Sequence, residues 1–180
     1  MEEYEMADLM KLQNGSDIRG IACEGVAGEA VNLTGEAGNL IGGGFVRWLA
    51  DKKGKSPDAL RIGIGHDSRI TADSLFAAAA KGIVAAGAKV YDCGLVSTPS
   101  MFMTTVFEEF AFDGAIMITA SHLPFNRNGY KFFDRDGGLE HDDITKILET
   151  ASGLTEVDAD LSGVEKVDSI SVYCRFLQEK

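Results

Sequence analysis

The stretch Thr119–Phe133, TASHLPFNRNGYKFF, places a hydroxyl at Ser121, an imidazole at His122, a guanidinium at Arg127, an amide at Asn128 and an ammonium at Lys131. Core packing has no use for that set, whereas nucleophilic or phosphoryl-transfer chemistry does. A serine beside a histidine is weak evidence on its own, because adjacent side chains point differently and loop serines commonly build turns. No GxSxG elbow surrounds Ser121, and the chain has no GxxxxGK[ST] phosphate loop. GIGHDSR supplies Gly63 and Gly65 after an apolar run but lacks the third glycine of a dinucleotide fingerprint. An independent serine hydrolase or phosphatase lacks a complete activating set.

The elements that must position these residues follow from hydrophobic period. A strand pair is expected over Asp17–Cys23 and the residues after it, with nearby glycines making the turns. Thr34 should cap a helix whose Ala37, Leu40, Ile41, Phe45 and Leu49 form one apolar stripe, ended by Lys52, Lys53 and Gly54. Leu60–Gly65 reads as a buried strand and GHDSR as the loop after it. Thr71 begins an alanine-rich helix to about Ala86, and Lys89–Cys93 is the next strand. Pro99 should open a third helix through about Glu109. Asp113–Ile118 is too apolar to face water, Tyr130–Phe133 returns as a strand, and Asp134–Gly138 reads as a hairpin turn rather than a metal-binding DxD. A last helix covers Asp142–Ala151. This alternation predicts a layered α/β/α domain on a mixed, mainly parallel sheet, with ligand-binding loops at the carboxyl ends of its strands. Both GHDSR and TASHLPFNRNGYK fall at such ends.

A chain of 180 residues that is 45% hydrophobic supports one sizeable core. Its net charge of −11 is dispersed, which argues against nucleic acid and against an anionic membrane surface. No window reaches the roughly 18 apolar residues that span a bilayer. Cys23, Cys93 and Cys174 are odd in number, lack CxxC spacing and read as buried reduced thiols. A cytoplasmic setting is expected, with a plastid after removal of a transit peptide as the alternative.

TASHLPFNRNGYK resembles the TASHNP…NGxK phosphoserine loop of the α-D-phosphohexomutase superfamily, which includes phosphoglucomutases, phosphomannomutases and phosphoglucosamine mutases. NGSDIRG at 14–20 is similar to that family's amino-terminal FGTDGIRG segment, and GIGHDSR at 63–69 to its GxDxR loop. The three occur in the family's order. Leu123 stands where asparagine is usual, His66 replaces an arginine or tyrosine, and Ser16-Asp17-Ile18 is one residue short.

The resemblance implies a first domain over 14–157, preceded by an extension (1–13) and followed by a linker or the start of a second domain (158–180). It implies that domains II–IV supply the carboxylates for Mg²⁺, the sugar-selecting loop and a phosphate-binding loop, so this chain alone should not act as a mutase. Ser121 would carry the phosphate that exchanges with a hexose phosphate through a hexose 1,6-bisphosphate, and that phosphate would be this chain's only ligand to the metal. Lys131 would serve as general acid or base, with His122 assisting proton transfer or orienting Ser121. Arg19, Arg69 and Asn128 would surround phosphate. Read as residues alone, Lys131 is a solvated strand lysine, either arginine is a structural ion pair, Asp67 is a loop brace and Asn128 shapes a turn. The competing function is a non-catalytic module that keeps the fold to bind sugar phosphate or to assemble.

Overall fold

The structure is a computed structural model and describes residues 8–179. Its strands are β1 (Gln13–Asn14), β2 (Asp17–Ile21), β3 (Arg61–His66), β4 (Lys89–Leu95), β5 (Gly114–Ile118), β6 (Arg127–Asp134), β7 (Gly137–Gly138) and β8 (Glu165–Lys166). Its helices are α1 (Gly35–Lys53), α2 (Ala72–Ala85), α3 (Thr98–Met103), α4 (His141–Ser152) and α5 (Ser169–Gln178). One mixed sheet runs in the order β1-β2-β6-β5-β3-β4-β8, with β7 paired to β6. It is parallel across β5, β3, β4 and β8 and antiparallel from β5 through β6 and β2 to β1.

Strand alternation sends Ile18, Ile62, Ile64, Ile116, Ile118 and Tyr130 into the larger core, against α1, α2 and α4. Ala115, Met117, Tyr91, Cys93 and Phe133 face the other way, into a smaller core with Met101 of α3 and, at its margin, Val172 of α5. The result is the expected α/β/α arrangement. α1 begins where the Thr34 hydroxyl accepts the Ala37 amide (3.1 Å) and ends at Gly54 in the left-handed conformation (φ +60°). It crosses α2 at glycine: a methyl at Gly82 would run into the Asn39 carbonyl.

Several expectations are corrected. The partner of β2 precedes it: Gln13 and Asn14 fold back around Gly15, and no strand forms between Ala22 and Leu33. α3 stops at Met103 because the hydroxyls of Thr104 and Thr105 bond back to the carbonyls of Met101 and Phe102 and the chain tightens into turns. β6 starts three residues early, since Arg127–Tyr130 pair with β2 while Tyr130–Phe133 pair with β5.

Residues 1–7 of the anticipated extension lie outside the described residues, but Leu9 and Leu12 are 2% exposed, so the packed body includes a 3-10 turn at Leu9–Leu12. At the other end β8 pairs with β4, and Phe176 of α5 meets Phe107 edge-on at 5.3 Å, so 165–178 pack onto the domain. Of the three free cysteines only Cys93 is buried; Cys23 is half-buried, and α5 turns Cys174 to solvent.

Candidate functional site

Strands β3 and β5 are parallel neighbours, in register from Ile62↔Gly114 to His66↔Ile118, so their loops emerge side by side. The Asp67 amide donates to the Ile118 carbonyl (3.1 Å), and the Thr119 amide to the Gly129 carbonyl (3.1 Å). From there the side chains interlock. The Thr119 hydroxyl donates to Asp67 Oδ2 (2.7 Å) and accepts the Ser121 amide (2.9 Å), while Asp67 Oδ1 accepts the Arg69 amide (3.1 Å). Ser121 itself is exposed at the loop tip with φ +55°, a left-handed conformation that a residue with a Cβ adopts at a cost. Its Oγ lies 3.4 Å from His122 Nδ1, so the expected Ser-His proximity is present as a long contact.

Arg69 departs from its expected phosphate-binding role. Its Nη1 donates to the carbonyls of Pro124 (2.8 Å) and Arg127 (2.9 Å), and its Nη2 to those of Ser121 (2.9 Å) and Leu123 (2.8 Å). Its Nε faces Asp67 Oδ2 at 3.4 Å. The four Nη hydrogens are committed to backbone, which reduces what Arg69 offers an incoming phosphate. Asn128 is likewise removed from the phosphate set. It is fully buried, donates to Thr71 Oγ1 (2.9 Å) and accepts the Gly129 amide (2.9 Å), so it ties β6 to the start of α2.

A second group forms on the sheet face opposite the larger core. Ile18 pairs with Tyr130, which brings Asp17 and Lys131 across from each other on the smaller-core side. Asp17 Oδ1 accepts from Lys131 Nζ (2.9 Å) and Oδ2 from Arg19 Nη2 (2.8 Å), so one carboxylate holds both cations. Arg19 Nη1 is buried with no hydrogen-bond partner, the kind of orphaned donor that an anion would satisfy. The strands approach closely here because residue 129 is glycine: a methyl there would run into the Ile18 carbonyl and sit 2.7 Å from Arg19 Cδ. Among the described residues no hydrogen bond joins Ser121 to Lys131 or Arg19.

A cavity of about 380 Å³ opens beside the serine loop, lined by Lys11, Arg19, Asn32, Leu123 and Arg127 among others. Leu123, the departure from the usual asparagine, therefore lies on a wall that also carries Lys11, Arg19 and Arg127, and its carbonyl accepts from Arg69. Glu29 braces the far side of the loop through Asn126 Nδ2 (2.7 Å) and Arg127 Nη2 (2.8 Å). The larger cavity, about 590 Å³ between Asp8, Glu36 and Glu156, collects none of the site residues.

No cluster of three metal-ligating side chains occurs among the described residues. The carboxylates around the site, Asp67, Asp17 and Glu29, are already engaged by Arg69 and Thr119, by Lys131 and Arg19, and by Asn126 and Arg127. These residues do not make a Mg²⁺ site by themselves. Thr119 begins the TASH segment and Asp17 lies in NGSDIRG, but the bracing contacts of both, and of Glu29, join residues far apart in the chain and have no local sequence signal.

The class defined by fold and site is a three-layered α/β/α domain with a polar serine loop at the carboxyl ends of two parallel strands. Residues 10–157 match the family described as phosphoglucomutase/phosphomannomutase, alpha/beta/alpha domain I, and the chain belongs to that family. A phosphoglucosamine mutase of Caldicellulosiruptor saccharolyticus is 34% identical over 139 residues, covering 77% of this chain and 28% of that protein. One from Pediococcus pentosaceus is 33% identical over 153 residues, covering 84% and 31%. The crystal structure of a phosphoglucomutase/phosphomannomutase family protein from Burkholderia thailandensis superposes with a TM-score of 0.70 at 24% identity, covering 93% of this chain and 34% of that one, which shows the shared fold. The chain thus spans about a third or less of the relatives it matches. No helix among the described residues is long and apolar enough to cross a membrane.

Proposed function

We propose that Ser121 is the phosphoryl carrier of a phosphohexomutase that interconverts hexose 1-phosphate and hexose 6-phosphate through a hexose 1,6-bisphosphate. The observation that carries this is an exposed serine hydroxyl on a loop whose backbone is anchored from Arg69 and Thr119, 3.4 Å from His122 Nδ1, with Arg19, held beside Lys131 by Asp17, on the wall of the cavity next to that loop. In the forward half-reaction the bond from Ser121 Oγ to phosphorus breaks as a sugar hydroxyl oxygen bonds to phosphorus. The hydroxyl proton is returned to Oγ, with Lys131 as the group to relay it and His122 as the nearer alternative. The return step runs the same exchange from the other end of the bisphosphate.

Phosphoryl transfer needs charge neutralised over the phosphoryl oxygens. Arg19, with its unpartnered Nη1, is the residue of this chain best placed to contribute. Magnesium, when bound, would neutralise charge on the Ser121 phosphate, and its protein ligands would come from the part of the relatives that this chain does not span. Isomerisation therefore requires that part, whereas acceptance of a phosphoryl group by Ser121 does not by itself complete a turnover.

The test is labelling with radioactive glucose 1,6-bisphosphate and Mg²⁺ in the full-length protein, followed by peptide mass spectrometry. Label on Ser121 in the wild type, and none in Ser121→Ala, is the expected result. Wild-type protein that binds the bisphosphate yet acquires no label would instead support a non-catalytic sugar-phosphate-binding module.

A further inference from the structure

The serine loop is held by contacts among the side chains and backbone of this chain. Ser121 sits at φ +55°, outside the conformations that a residue with a Cβ prefers, and its neighbours must impose this. Released, the residue would relax toward negative φ and carry its hydroxyl with it. Two contacts reach the Ser121 backbone directly: its amide donates to Thr119 Oγ1, and its carbonyl accepts from Arg69 Nη2. Arg69 then takes the carbonyls of Leu123, Pro124 and Arg127 as well, so one planar fork gathers both flanks of the loop. Asp67 orders the fork in turn, accepting from the Arg69 amide and from Thr119 Oγ1.

We propose that Arg69, oriented by Asp67 and assisted by Thr119, is a positioning residue that holds Ser121 in its left-handed conformation before any phosphate arrives, and that it is not a phosphate ligand. This rests on the reading of Ser121 as the phosphoryl carrier. The chemistry demands an arginine: four backbone carbonyls take up the four Nη hydrogens of one guanidinium, whereas a lysine offers three donors from a single point. A phosphate ligand behaves differently: a lysine there keeps the charge but loses the bidentate fork, so phosphate binding weakens while the empty loop keeps its protection.

Arg69→Lys in the full-length protein separates the two roles. Hydrogen exchange reads the loop without any reaction: the Leu123 amide, which donates to Ala120, and the Arg127 amide, which donates to Pro124, should lose protection. The amides of β3 and β5 should keep theirs. The labelling rate of Ser121 from glucose 1,6-bisphosphate should fall on the order of 100-fold, the penalty for roughly 1 Å of misplacement. The half-saturating bisphosphate concentration should change by less than about threefold, since uniform binding is untouched. Arg69→Ala should regain rate when guanidinium is added at millimolar concentration.

Wild-type exchange in the Arg69→Lys loop, or a change confined to half-saturation, overturns the proposal. If the arginine variants do not fold, Thr119→Val must loosen the same amides and Thr119→Ser must restore them; equal exchange in that pair also overturns it. Wild-type protein that takes no label refutes the phosphoryl-carrier reading, while the exchange measurements still decide whether the clamp exists.

Discussion

Replacing Gly129 by alanine should damage the site from a position that carries no chemistry. Gly129 lies in β6 where it pairs with Arg19 of β2, and an added methyl would run into the Ile18 carbonyl and lie 2.7 Å from Arg19 Cδ. Neither neighbour can rotate away: one is backbone, and the other is the stem of an arginine fixed by Asp17. The strands must part by on the order of 1 Å, and overpacking of that kind costs about 1–3 kcal/mol. Alanine recovers about 0.5–1 kcal/mol, because it loses less conformational freedom than glycine on entering a strand. The net loss, centred near about 1 kcal/mol and at most about 2.5 kcal/mol, corresponds to a Tm lowered by about 2–4 °C, and by no more than about 10 °C, for a chain of this size. The functional effect should be larger than the stability effect suggests, since the displaced strand carries Asp17 and Arg19 and the pairing that aims Lys131. A shift of about 1 Å there can cost on the order of 100-fold in rate. Circular dichroism melts and Ser121 labelling with glucose 1,6-bisphosphate read the two effects separately. A Gly129→Ala protein that melts within about 1 °C of wild type and labels at the wild-type rate would refute the claim that close β2–β6 approach sets the site.

Two further predictions concern titrating groups. Burial pushes the Asp134 carboxyl up, but the Lys52 ammonium at 2.9 Å, the Asp136 amide and Lys53 more than offset it, holding the group below the ordinary carboxylate range. Because the folded value is depressed, its contribution is complete above the unfolded value near 4 and is lost as pH falls through the lower folded value. Asp134→Asn should cost about 1–2 kcal/mol at neutral pH, a figure discounted for the partly exposed lysines. In urea titrations the wild-type advantage should shrink below about pH 4; a gap unchanged between pH 6 and pH 3 contradicts this. Burial also pushes the Cys93 thiol up to about 12, whereas Cys174 is exposed. Iodoacetamide at about pH 8 should therefore modify Cys174 and spare Cys93 in the folded protein, since only the thiolate reacts. Equal labelling of the two would contradict this.

Much of the frame was legible from sequence because its signals are local. The Thr34 cap, the Gly54 stop, the apolar runs of β3 and β5 and the hairpin at Asp134 each lie within a few residues of the element they define. So does the order of the three segments that carry the family resemblance, and with it the position of Ser121 just beyond a buried strand. The tertiary structure alone decided where the hydrogen bonds of that site go. Arg69 reaches Ser121 across 52 residues of chain, and Lys131 reaches Asp17 across 114. Composition assigns those arginines and carboxylates no partner, because a guanidinium suits a phosphate and a ring of carbonyls equally well. The burial of Asn128, the packing of Leu9 and Leu12 and the capture of four carbonyls by Arg69 depend on which strands become neighbours. That was settled only when β6 inserted between β2 and β5 and the β3 and β5 loops emerged side by side.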